Sequence, residues 1–148
     1  MKIWTLAATL LVTVSAATAV VAAKALTPKA QLEKAATHIV VGKVKLITFT
    51  TNENAQYVTT TYTAQIAIDR VEKGDGLKPG DVVEVRYLSR GWRGSGSPPP
   101  FDSGHSPRPK QSDTVRVYLV NQGYNGAGYT TDGHYDVYYK NGFEILRQ

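Results

Sequence analysis

The chain has 148 residues, with 17 basic against 12 acidic side chains, three histidines and a formal charge of +5. That length bounds one domain, and the mild basic excess permits contact with anionic polymers or cell-wall material while also serving solubility alone. The absence of cysteine excludes disulfides, a cysteine-linked lipid anchor, a Cys-ligated zinc and a thiol nucleophile, so stability has to come from packing.

The first residues read as an export signal. Met1-Lys2 is a short basic start, Ile3 to Val14 is apolar, and small residues follow through Ala25, the layout of a secretory signal peptide. We place the cut after Ala23, so that 1–23 is the signal and 24–27 a short linker; Ala19 and Ala25 are the other small-residue sites. The competing reading is an uncleaved anchor, since Ile3 to Ala23 spans 21 residues and a membrane-crossing helix needs roughly 20 apolar ones. Against it stand the Ala, Thr and Ser content of its second half and the single Lys24 at its boundary. With the signal removed no membrane span remains, and the expected location is secreted or periplasmic. A mature chain of about 125 residues is large enough to bury a core without covalent staples.

Thr27-Pro28 ahead of Lys29 to Ala36 predicts a short helix, with Thr27 as N-cap and Pro28 in the first turn. Leu32, Ala35 and Ala36 give it a narrow apolar stripe that would cover an open end of a sheet. From Ile39 to Leu46 the chain reads as a strand, with Val40, Val44 and Leu46 on one face and lysines on the other. Ile39 and Val41 are apolar too, so the start of that strand is expected to be buried on both sides. Gly42 marks a bend or a close backbone approach. Thr50 to Gln56 is polar and without period, which reads as a loop.

A long bent hairpin follows. Tyr62, Ala64, Ile66 and Ile68 alternate with polar residues, as in a half-buried strand, and Asp69-Arg70 breaks the alternation at an expected β-bulge. Lys73 to Gly80 supplies the reversal, and Val83, Val85 and Tyr87 share one face of the return strand. Ser89 to Lys110 then holds so many Gly and Pro residues that 89–112 reads as one long, partly mobile loop. Val115, Val117 and Leu119 lie on one face of a further strand with Arg116 and Tyr118 on the other. Tyr135, Val137 and Tyr139 alternate before an Asn141-Gly142 turn, and Phe143 with Ile145 read as the return of a terminal hairpin.

The predicted fold is all-β: a small five- to six-stranded antiparallel OB-like barrel with one short N-terminal helix, occupying 28–148. A β-sandwich is the alternative. The order of Ala36-Thr37-His38-Ile39-Val40-Val41-Gly42-Lys43-Val44, Tyr62 to Gly74, Val82 to Tyr87 and Val115 to Val120 resembles the OB-fold domain of the tissue inhibitors of metalloproteinases and netrin-type modules. The resemblance implies a fold and no activity. In those inhibitors a mature N-terminal cysteine chelates the protease zinc, and this chain has no cysteine to inherit that role.

No Gly-x-Ser-x-Gly, His-Glu-x-x-His, phosphate-loop or dinucleotide pattern is present. Of the histidines, His38 opens a strand as a structural residue and His105 sits in the Gly/Pro loop, where geometry is hard to hold. No cofactor is expected, and the chain reads as a non-enzyme. A metal-dependent hydrolase remains an alternative through Asp132, His134 and Asp136, whose alternate spacing places three ligands on one strand face; the plainer reading is a turn at Asp132-Gly133 and a solvent-facing Asp136. The stronger candidate is the 89–112 loop, which joins Trp92 and Phe101 to Arg90, Arg93, Arg108 and Lys110. Aromatics beside arginines suit anchoring in a protein or cell-envelope partner, or stacking along an anionic polysaccharide or nucleic acid. The competing structural reading folds Trp92 and Phe101 back over the barrel. The expected function is an exported, non-enzymatic binding module.

Overall fold

The computed structural model describes residues 26–98, 104–120, 135–137 and 140–146. A helix α1 (Lys29–Ala35) precedes six strands: β1 (His38–Glu53), β2 (Tyr57–Lys73), β3 (Val82–Trp92), β4 (Thr114–Val120), β5 (Tyr135–Val137) and β6 (Phe143–Leu146). The sheet runs β1-β2-β3-β5-β4 and closes on itself because β4 also pairs with β1, which makes an OB-like barrel. The one departure from an antiparallel barrel is the β3–β5 contact, where Val85 and Arg86 pair in parallel with Tyr135 and Asp136. Five strands in a ring cannot alternate direction all the way round, so one parallel contact is a consequence of closure.

The inward alternations of β2 (Ala64, Ile66, Ile68), β3 (Val83, Val85, Tyr87) and β4 (Val115, Val117, Leu119) meet in a single core. Each aliphatic side chain fully buried there contributes about 1.5–3 kcal/mol. The predicted bulge is present: Val41 faces Arg70 and Gly42 faces Ile68, so Asp69 is skipped. A Cβ on Gly42 would lie 2.2 Å from the Ala67 carbonyl oxygen, which explains the glycine at the bend. A further bulge falls between Val44 and Leu46, and it corrects the phase read from the sequence. Leu46 turns outward at 42% exposure, and Ile47 packs against the core in its place.

Ile39 and Val41 are buried as expected. Helix α1 lies against the outer surface of the β1–β4 pair, where Leu32 and Ala36 meet Ile39 and Tyr118, and does not cover an open sheet end; Ala35 is exposed. The cap position belongs to Pro28, with no side-chain cap bond. Thr27 is occupied elsewhere: its N–H donates to Asn141 Oδ1 and its carbonyl accepts from Asn141 Nδ2.

That use of Asn141 accompanies a second correction. Among the described residues, strand β5 pairs with β3 and β4, and β6 pairs with β4 alone. Leu119 faces Val137 while Val117 faces Phe143, so β5 and β6 run in the same direction along one edge of β4. Asn141-Gly142 therefore belongs to an insertion between two pieces of that edge, stitched down where Tyr118 N–H donates to Gly142 O at 2.9 Å, and it does not turn a hairpin.

Strands β1 and β3 also outrun their predicted ends. Thr50 to Glu53 pairs with Val58 to Thr61, leaving only 54–56 as the turn, and Ser89 to Trp92 pairs with Tyr57 to Thr60. The result is a three-stranded wing built from Thr48–Glu53, Tyr57–Thr61 and Leu88–Trp92. None of residues 48–61 or 88–92 is buried, so the wing lies outside the core. Residues 1–25, which include the expected signal and linker start, fall outside the described residues. Among the described residues no helix is long and apolar enough to cross a membrane.

Candidate functional site at the tip of the wing

The wing tip is set by Asn54, whose Oδ1 accepts from the N–H groups of Gln56 and Tyr57 at 2.9 and 2.8 Å. This side-chain turn is the usual reason for asparagine at such a reversal. It fixes the β1–β2 register that puts Glu53 opposite Val58, and in the adjoining β2–β3 ladder Tyr57 stands opposite Trp92 and Thr59 opposite Arg90. Directly opposed residues share a face, so Tyr57, Trp92 and Arg90 lie together.

The contacts follow. The Tyr57 and Trp92 rings meet edge to face with centroids 5.0 Å apart, and the Arg90 guanidinium lies 5.3 Å from the Tyr57 centroid, within cation–π range. Trp92 Nε1 donates to Gly96 O at 3.2 Å, and a Cβ on Gly94 would fall 2.3 Å from the indole. Segment 93–96 thus wraps the edge of the indole and holds it in place. Arg93 N–H donates to Gln56 O, and its guanidinium pairs with Glu53. The pair is half exposed on both sides, so it orients the tip more than it stabilises the fold.

Arg90 and Trp92 therefore lie on the end of β3 and not on a loop, Arg93 follows directly after it, and Trp92 does not fold back over the barrel. Arg108 and Lys110 are exposed elsewhere. They lie on a segment tied to β3 where His105 N–H donates to Leu88 O, and to β1 where Ser112 N–H donates to Val44 O. Ser89 bridges Gly104 and Pro109 is buried, so 104–113 is anchored structure, against the reading of 89–112 as one loop. Phe101 lies outside the described residues. Sequence reasoning missed Tyr57 and Glu53 as members of the site; Asn54 was the available signal, because an Asx turn there implies paired strands on both sides.

The opposite face of the wing carries a second aromatic row. Phe49 packs 6.0 Å from Tyr62, Tyr62 stacks on Tyr87 at 5.0 Å, and Tyr87 meets Phe143 in the core at 5.0 Å. Burial, with Tyr62 alongside, pushes the Tyr87 hydroxyl up to about 12, and the charge of Arg108 acts in the opposite sense. Phe49 ends the row at 66% exposure.

Two histidines are committed to backbone. His38 Nε2 lies 2.9 Å from Asp75 O and its Nδ1 3.0 Å from Thr37 Oγ1. His105 is held where a loose loop was expected: Leu88 N–H donates to its Nδ1 at 3.1 Å, and Nε2 donates to Val137 O at 3.3 Å. Burial holds its pKa below the usual histidine value, partly offset by the Val137 and Leu88 backbone. Of the metal candidates, Asp132 and His134 lie outside the described residues. Asp136 is not solvent-facing: it is 3% exposed, and its carboxylate accepts from Arg86 Nε at 3.0 Å and Nη2 at 3.4 Å. Among the described residues no group of three His, Asp or Glu side chains is placed to hold a metal.

No known family's profile matches the chain, and no curated protein or solved structure is detectably similar to it.

Proposed function

We propose that the protein is an exported, non-enzymatic binding module that engages a protein or cell-envelope partner through the tip of the wing, with Tyr57, Arg90 and Trp92 as the contact surface and Arg93 beside them. The observation that supports this most directly is the coincidence of an ordered aromatic–arginine cluster with a strand extension that carries no core residue. Surface of that composition, fixed before contact, loses little conformational entropy on binding and suits an interface anchor. Trp92→Ala with Arg90→Ala should abolish capture of the partner from envelope extract while thermal unfolding is nearly unchanged. Capture that persists in the double variant sinks the assignment of the site.

A second reading is supported by the placement of this cluster on the β2–β3 surface, where OB barrels bind oligonucleotides and oligosaccharides. Binding of an anionic polymer there would weaken steeply with added salt, whereas an aromatic protein anchor would respond weakly. Titration of heparin or a single-stranded oligonucleotide at low ionic strength separates the two readings.

A further inference from the structure

Beyond Val44 the outer edge of β1 pairs with nothing among the described residues. Val44 itself is occupied, donating to Asp113 O and accepting from Ser112 N–H, each at 2.9 Å. At the far end Asn54 N–H donates to Tyr57 O, which makes those two the hydrogen-bonded pair next to the turn. Antiparallel pairs alternate between hydrogen-bonded and open, so the N–H and C=O groups of Glu53, Thr51, Phe49 and Ile47 point away from β2. Leu46 to Asn52 is an uncharged run without Gly or Pro, rich in β-branched and aromatic residues. Soluble proteins usually blunt such an edge.

We propose that this edge pairs with the same edge of a second copy, antiparallel and about a two-fold axis at Phe49. The axis follows from the length of the free edge, which runs from Lys45 to Glu53 with Phe49 at its midpoint. Only that centre uses the whole edge, and it also places outward-pointing groups against outward-pointing groups: Phe49 opposite Phe49, Ile47 opposite Thr51. It sets Lys45 of each copy opposite Glu53 of the other, whose carboxylate is already paired with Arg93 of its own chain, so Lys45 joins an existing ion pair and the centre is chosen by the edge length, not by this contact. The exposed Phe49 ring would stand beside its symmetry mate, continuing the Tyr87–Tyr62–Phe49 row across the axis into the second wing. A two-fold contact of this kind is self-limiting. The proposal does not depend on the ligand assigned to the tip, because Tyr57, Arg90 and Trp92 lie on the other face and the shared residue, Glu53, meets the second copy at the end of the paired edge while keeping Arg93.

The test is sedimentation of the full chain, as its expression host processes it, over a concentration series. The expected behaviour is a monomer–dimer equilibrium. Thr51→Pro removes an outward N–H without removing a β1–β2 backbone bond, at the loss of the exposed Thr51–Thr60 hydroxyl contact, and should raise the dimer dissociation constant about tenfold or more; Thr51→Val, which loses the hydroxyl alone, should leave it unchanged. Phe49→Cys in this cysteine-free chain should give a disulfide-linked dimer under mild oxidant, because hydrogen-bonded antiparallel partners lie about 5.5 Å apart at Cα, within disulfide reach. Val82→Cys, exposed on the barrel at 57%, is the control. A chain that stays monomeric at its highest soluble concentration overturns the proposal, as does a Phe49→Cys variant that links no faster than the control. So does a monomer whose Phe49 and Thr51 amides resist hydrogen exchange, which would place a segment of its own chain on the edge.

Discussion

Shortening the wing separates scaffold from site. Thr50 and Thr61 face each other and, by the alternation from Asn54 and Tyr57, form a hydrogen-bonded pair, the kind a two-residue Asn-Gly turn closes. Replacing 51–60 with Asn-Gly keeps Phe49 and Tyr62 and removes no buried side chain. The losses are exposed ladder bonds and the half-buried contacts of residues 57–60, offset by the entropy of about eight fewer ordered residues. The expected loss in unfolding free energy is below about 2 kcal/mol, against about 2–5 kcal/mol for a single core truncation such as Ile66→Ala. Urea unfolding followed by far-ultraviolet circular dichroism measures both, and pull-down of the partner is scored on the same samples. A shortened chain that fails to fold, or that loses as much as Ile66→Ala, refutes the division of the molecule into barrel and wing; a shortened chain that folds and still captures its partner refutes the site.

Three further outcomes follow from the barrel. Gly42→Ala should destabilise by about 1–3 kcal/mol or more, since the new Cβ meets the Ala67 carbonyl at 2.2 Å and backbone cannot swing aside; an unchanged melting temperature contradicts the close approach. Asp136→Ala should cost about 3 kcal/mol by removing a carboxylate, 5% exposed, from a buried ion pair with Arg86, whereas loss of binding with stability intact would point to a ligand role instead. For His105 the folded pKa is depressed, so the unfolded chain takes up the proton first. Its contribution is full above the unfolded value of about 6.5 and is lost as pH falls from there through the folded value. Thermal melts from about pH 7.5 downward should show a destabilising step in the wild type that His105→Gln flattens, and an equal step in both would assign the effect to another group.

The barrel was legible where one face of a strand is buried and the other is wet. Ala64-Ile66-Ile68, Val83-Val85-Tyr87 and Val115-Val117-Leu119 are period-two runs whose phase is enforced by the core, and the skip at Asp69 announced its bulge. Errors arose where the deciding partner is distant in sequence. Nothing local marks Lys45 as a bulge or ties Asn141 to Thr27. Asn-Gly is a reliable hairpin cue only when both flanking strands pair with each other, and here β4 claims them both. Asp136 read as solvent-facing because Arg86, 50 residues away, is visible only in the fold.

The wing was missed for a different reason, which bears on function. Thr48-Phe49-Thr50-Thr51 and Thr59-Thr60-Thr61 carry strand propensity but no phase, because neither face of the wing is buried and no face is therefore obliged to be apolar. A segment free of the core leaves its side chains without a packing explanation. The aromatic residues placed there, Phe49 on one face and Tyr57 with Trp92 on the other, pack on neighbouring rings outside the core, which is why the proposed contacts are assigned to them. Under these proposals, the two faces and an edge that is unpaired among the described residues serve distinct chemistries: an aromatic–arginine cluster for a ligand, and a self-complementary strand for a second copy of the chain.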